Sequence, residues 1–318
     1  MPDSADPLAR PPGRFEHPDV TAKGEPRAVV EFDALKTLWF NTGTLCNIEC
    51  ANCYIESSPT NDRLVYLTPG DVAPFLDEID QLGRGPVEIG FTGGEPFMNP
   101  DMARLIEMSA ERGHQVLVLT NAMRPMMRPR VQDALAELNR RFGDQITLRI
   151  SIDHYKAERH DEERGAGAFA STIEGVRWLA QRGFRLSAAG RSMWDETEAE
   201  ARAGFQALFD RLGAPIDASD PAQMVIFPEM DETGEPPEIT TACWDILGVD
   251  PSTVMCASSR MVVKRKGAAR PAVLSCTLIP YEDAFEMGGT LKASLKPVKL
   301  KHKFCAQFCV LGGASCSG

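Results

Sequence analysis

"LWFNTGTLCNIECANCY", residues 38–54, opens as an apolar, aromatic run and closes as a cysteine loop. The first half reads as a buried β-strand, since aromatic and apolar residues run up to a glycine. The second half delivers three thiols, Cys46, Cys50 and Cys53, at spacings of four and three, and the next cysteine in the chain is Cys243. Three thiolates are one short of a closed structural zinc site, and no histidine lies within 20 residues of the triplet to complete a catalytic one. A [4Fe-4S] cubane takes a thiolate on each iron, so three local thiolates leave one iron open to a cofactor or substrate.

Outward from this stretch the chain alternates short apolar runs with amphipathic ones, the pattern of repeated βα units. After "LWFNTG" come "VEIGFT", "QVLVLT", "ITLRISI", "FRLSAAG" and "AQMVIF", which makes six strands. Thr68 and Pro69 form an N-cap and first-turn pair opening the helix "PGDVAPFLDEIDQL". Pro100 opens "PDMARLIEMSAERG", and "ASTIEGVRWLAQRG" and "ETEAEARAGFQALFDRLG" end at Gly183 and Gly213. Six parallel units fit an open doubly wound sheet or a partial barrel equally well, and in both the ligand site lies at the C-terminal ends of the strands. Those ends read Cys46–Cys53, then "TGGEP", "TNAM", "SIDH", "GRS" and "PEM".

From about residue 230 the rhythm stops. "MCASSRMVVKRKGAARPAVLSCTL" reads as a β-hairpin turning near Lys266 and Gly267, with Cys256 and Cys276 at its bases, and "KFCAQFCVLGGASCSG" adds Cys305, Cys309 and Cys316. Nine cysteines without a secretion signal point to metal ligation or redox chemistry rather than a disulfide framework. Nothing resembles a signal peptide or a membrane span, so a cytoplasmic location is expected. The formal net charge of -11 argues against a general nucleic-acid binder, yet residues 254–318 carry ten Lys or Arg against Glu282, Asp283 and Glu286. That basic tail is a solvated surface, compensation for an anionic cluster, or a dock for an anionic partner.

Cys46-x3-Cys50-x2-Cys53 directly after a first strand resembles the cluster motif of the radical S-adenosylmethionine (radical SAM) family. "TGGEP" resembles the family's Gly-Gly-Glu motif, with the likeness running over roughly residues 36–228. It implies a partial (β/α)6 TIM-like barrel in which Cys46, Cys50 and Cys53 hold a [4Fe-4S] cluster and the open iron chelates S-adenosylmethionine (SAM). Gly93 and Gly94 would allow close backbone approach, Glu95 would accept from the methionyl ammonium, and Asn121 would meet SAM or substrate. Ser151 and Asp153 would reach the ribose, and Arg191 the methionyl carboxylate. The family's commonly aromatic position before the third cysteine is Asn52 here, which puts aromatic packing on adenine in question. The implied chemistry is reductive cleavage of SAM to a 5'-deoxyadenosyl radical that abstracts hydrogen from a substrate.

The tail resembles the Twitch and SPASM extensions of that family, which bind auxiliary [4Fe-4S] clusters. One such cluster is expected here, held by four of Cys256, Cys276, Cys305, Cys309 and Cys316, with Cys243 a spare thiol and zinc the competing metal. The expected organisation is a Pro-rich arm over 1–35, a radical SAM core over 36–229 and a cysteine-rich domain over 230–318. Some 35 residues before the first strand are too few for a peptide-recognition domain, so oxidation or cross-linking of either a peptide or a small metabolite is expected, with a low-potential flavodoxin or ferredoxin as reductant. The alternative is a non-catalytic iron-sulfur protein for electron transfer or redox sensing, against which the intact "TGGEP" argues.

Overall fold

Apolar residues at every second position of each run decide which face of the sheet they cover, and the fold follows from that alternation. The computed structural model describes residues 13–314 other than Arg84 and Glu232. In chain order the elements are β1 (Val29–Val30), β2 (Thr37–Asn41), α1 (Pro69–Gln81), β3 (Glu88–Thr92), α2 (Met102–Ala110), β4 (Gln115–Thr120), α3 (Pro129–Phe142), β5 (Ile146–Ser151), α4 (Ala157–Arg164), α5 (Ala168–Gln181), β6 (Arg185–Arg191), α6 (Glu198–Leu212) and β7 (Met224–Phe227). Beyond them lie α7 (Cys243–Leu247), β8 (Ser259–Val263), β9 (Ala272–Leu274), β10 (Glu286–Gly288), α8 (Leu291–Ser294) and β11 (Val298–Lys299).

The six expected strands are β2 to β7, and each pairs in parallel with the next in sequence. A doubly wound sheet reverses its strand order at a switch point, whereas this one winds in a single direction, as a barrel does. The barrel stays open, because β7 is one edge of the sheet. On the outer face Leu38, Phe40, Ile89 and Phe91 join the helices in the main core, with Phe40 stacked on Phe91 at 5.7 Å. On the inner face Trp39, Leu117, Met261 and Leu274 form a separate cluster.

The expected hairpin forms as β8 and β9, but it is not a free-standing appendage. β8 runs parallel to β2, Thr37 opposite Ser259, so the tail continues the barrel sheet through β9 to β10. Two helices between the barrel strands were not read from the sequence, α3, which buries only Leu135 and Leu138, and the highly polar α4, nor were the short α7 and α8 of the tail. Thr68 caps α1 with a capping box to Asp71, and Gly213 ends α6 in the left-handed region. α2 begins at Met102 rather than Pro100, because Asn99 Oδ1 first turns the chain by accepting from Asp101 N. Among the described residues no helix is long and apolar enough to cross a membrane.

Of the N-terminal arm, residues 13–35 lie along the tail, where β1 pairs antiparallel with β11. Arg27 fastens it, donating to His17 O at 2.8 Å, Val20 O at 2.9 Å and Leu300 O at 3.2 Å and pairing with Glu238 at 2.6 Å. Glu238 in turn accepts from Phe15 N at 2.8 Å and Ala22 N at 2.7 Å. Both side chains are buried, so removing one strands a charge. Glu238→Ala is expected to lower unfolding stability by about 3 kcal/mol in urea titration and to expose the arm to limited proteolysis.

Candidate active site

The loop after β2 is shaped by a backbone contact that only glycine permits. Gly94 N donates to Gly43 O at 2.8 Å and Glu95 N to Leu45 O at 3.2 Å, laying the turn after β3 against the approach to Cys46. A Cβ on Gly94 would sit 2.2 Å from Leu45 O, and one on Gly93, whose φ is +146°, 2.5 Å from Gly43 O. The close approach expected of these glycines is thus made by the chain itself. Further on, Cys46 N donates to Ser58 O at 3.0 Å, and Ser57 N donates to Cys53 Sγ at 3.3 Å.

Cys46, Cys50 and Cys53 line one cavity at the C-terminal mouth of the barrel. Gly93, Gly94, Asn121, Ser151, Asp153 and Arg191 line the same cavity, so the structure brings together residues from the ends of β3, β4, β5 and β6. Burial pushes the Cys46 thiol up to about 12 and the Cys50 thiol to about 11, the latter against the pull of the Arg164 cation. A cation entering among them would displace those protons.

Glu95 lies behind the cavity wall. Its carboxylate accepts from Thr120 Oγ1 at 2.8 Å, Asn121 N at 2.9 Å and Phe97 N at 3.2 Å, and burial raises it to about 6 despite these donors. Asn121 Nδ2 donates to Asn47 Oδ1 at 3.0 Å. Two of these residues already have protein partners. Both Asp153 oxygens accept from Arg164, at 2.6 and 3.0 Å. The Arg191 fork is likewise occupied: one terminal nitrogen reaches Asn52 O and Glu163, the other Tyr54 and Glu229, leaving only the buried Nε without a partner. Sequence reading missed Arg164 and Glu163 because α4 carries almost no apolar signal.

The tail cysteines meet at a second cavity. Cys256 from the turn before β8, Cys276 from just after β9, and Cys305 and Cys309 from one π-helical turn over Cys305–Val310 line it together. Burial pushes the Cys256 and Cys305 thiols to about 12. Cys243 packs on the neighbouring core with its Sγ accepting from Thr240 N at 3.4 Å, and does not line this cavity. Cys316 lies outside the described residues. Leu278 lines both cavities, and Tyr54, next to Cys53, meets Phe304, next to Cys305, edge-on at 6.5 Å.

Gly94→Ala is expected to cost about 3 kcal/mol in denaturant unfolding, since its Cβ would meet backbone. His160, on α4, offers a pH test: burial depresses it to about 4, and both ring nitrogens are without a partner. Because the unfolded chain binds the proton first, stability present above about pH 6.5 is lost as pH falls toward 4, by about 3 kcal/mol. His160→Leu should flatten that part of the stability curve of the metal-free chain; an unchanged slope would refute the assignment.

Comparison with known proteins accords with this geometry. Over 156 residues the chain is 31% identical to the antilisterial bacteriocin subtilosin biosynthesis protein AlbA of Bacillus subtilis (strain 168), covering 47% of this chain and 32% of AlbA. Over 200 residues it is 30% identical to the mycofactocin maturase MftC of Mycobacterium ulcerans (strain Agy99), covering 60% of this chain and 50% of MftC. The chain therefore spans half or less of these relatives' lengths. Its fold matches Streptococcus suis SuiB bound to S-adenosylmethionine with a TM-score of 0.59 at 12% identity, over 80% of this chain and 63% of SuiB. The Radical SAM superfamily model matches residues 40–203, more than half of the sequence, and the chain belongs to that superfamily.

Proposed function

We propose that the chain is a radical SAM enzyme that abstracts hydrogen from a peptide substrate, for oxidation or cross-linking. The observation that carries this reading is the convergence of Cys46, Cys50 and Cys53 with Gly93, Gly94 and Asn121 on one cavity at the barrel mouth. The donor set suits the implied cofactor: three soft thiols, no histidine among the lining residues, and space beside them bounded by Asn121, Ser151 and Arg191 and by apolar side chains. When bound, a [4Fe-4S] cluster and SAM supply the electron and the 5'-deoxyadenosyl group for hydrogen abstraction. The chain's own work is to present the three thiols, hold Cys46 through the glycine contact, and wall off water with Trp39, Leu119 and Phe308.

The division into a core over 36–229 and a cysteine-rich tail over 230–318 belongs to the same reading. Cys256, Cys276, Cys305 and Cys309 are four thiols on one buried cavity, the number an auxiliary [4Fe-4S] cluster with full cysteine ligation requires. Their closeness to the first cavity suits exchange of an electron with a substrate held between them. A peptide is preferred to a small metabolite because one relative is named for bacteriocin biosynthesis and another as a maturase. A low-potential flavodoxin or ferredoxin as reductant, and a cytoplasmic setting, complete the proposal.

Anaerobically loaded protein given SAM and dithionite is expected to release 5'-deoxyadenosine, and the Cys46→Ala/Cys50→Ala/Cys53→Ala variant none. That variant should retain about four irons in the tail. No 5'-deoxyadenosine from fully loaded protein would refute the enzyme; a folded variant without iron would refute the auxiliary cluster alone.

A further inference from the structure

The cysteine loop is held at two places by different means. Its Cys46 end is fastened by main chain, through Cys46 N to Ser58 O and the turn at Gly94. Its other end, residues 51–54, is gripped from across the mouth by one main-chain bond and by side chains. Ala51 N donates to Glu163 O at 2.8 Å, and Asn52 Nδ2 donates to both Glu163 carboxylate oxygens at 3.0 Å. Arg191 Nη1 donates to Asn52 O at 3.1 Å and Nη2 to Tyr54 Oη at 3.0 Å, with the guanidinium carbon 5.0 Å from the Tyr54 ring centre. Glu163 and Arg191 also pair with each other at 3.3 Å, and Glu229 joins Arg191 at 2.9 Å.

Each of these contacts falls between Cys50 and Cys53 or on the residue after Cys53. Glu163 lies in the last turn of α4 and Arg191 ends β6, so two separate units of the barrel converge on one short segment, and Glu229, after β7, holds Arg191. Glu163 and Arg191 are both buried, which makes charge-assisted bonds here stronger than at the surface and broken ones costly. The arrangement also accounts for Asn52. A side chain at that position that donates to a carboxylate belongs to the grip on the loop and not to packing on a ligand ring.

We propose that Glu163 and Arg191 are positioning residues that clamp the 51–54 segment through Asn52 and Tyr54, presetting the Cys50 and Cys53 thiols for the cluster before it binds. The clamp rests on the reading of these thiols as cluster ligands, but its geometry exists in the metal-free chain. Arg191 thereby serves the loop rather than a bound carboxylate. Glu163→Gln keeps an oxygen for Asn52 and stands as the conservative variant. Asn52→Asp sets a second carboxylate against Glu163 while leaving Glu163 and Arg191 in place.

The test is residue-resolved alkylation of the metal-free full-length chain by iodoacetamide, read by mass spectrometry. Glu163→Ala and Asn52→Asp are expected to speed modification of Cys50 and Cys53 about tenfold, the loss of one charge-assisted bond, and to leave Cys46, Cys256 and Cys305 unchanged. Glu163→Gln should stay within about threefold of the parent. In the anaerobically loaded chain the first two variants should also lose iron faster to EDTA and shift the electron paramagnetic resonance signal of the reduced site. Unchanged rates at Cys50 and Cys53, or an equal rise at Cys46 and Cys256, would overturn the clamp; should Glu163→Ala fail to fold, Asn52→Asp decides. Failure of the loaded chain to hold iron with the alkylation pattern as expected would remove the cluster reading and leave the clamp standing.

Discussion

The backbones of residues 43–45 and 93–95 touch with no side chain between them, and the candidate site is built on that contact. Gly94 has no Cβ to strike Leu45 O, and two main-chain hydrogen bonds close the gap. The ends of β2 and β3 are thereby locked in register beyond their last paired residues, Asn41 and Thr92. From this point the chain leaves toward Cys46 in a set direction. A side chain here would push apart the two strand ends on which the thiol loop depends.

The two cysteine neighbourhoods, far apart in sequence, have Leu278 as a common lining residue. β8 adds to β2 on the side away from β3, with Ser259 opposite Thr37, so Cys256 and Cys276 lie toward the N-terminal ends of the strands, and Thr277 and Leu278 carry the chain on to the first cavity. The π-helical turn with Cys305 and Cys309 closes over them, and its Phe308 reaches into the first cavity. The arm fastened by Arg27 and Glu238 covers this assembly from outside. The tail and the barrel are therefore packed as neighbours through one continuous sheet.

Charge at the mouth is balanced locally. Arg164 is paired with Asp153, and Arg191 with Glu163 and Glu229, so the cations near the thiols are held by carboxylates rather than left open to ligand. Burial keeps the Cys46 and Cys50 thiols protonated at neutral pH. The site as the chain makes it thus disfavours bare thiolates at Cys46 and Cys50 until a cation compensates their charge.

The sequence by itself determined the six parallel strands, the helix capped at Thr68 and the one ended at Gly213, the hairpin and the three thiols after β2, because each is a local pattern: alternation, a cap, or a spacing. It was silent on α3 and α4, whose apolar faces are too sparse to announce a helix, and α4 supplies Glu163 and Arg164. Only the tertiary structure decided that the winding is that of a barrel, that β8 lies beside β2, and which acid each arginine meets. Arg191 and Asp153 were legible as mouth residues, since strand ends are, but not their partners. A residue's place along a strand is set by its neighbours in the chain, whereas the partner of a buried charge is set by which distant element packing brings within reach.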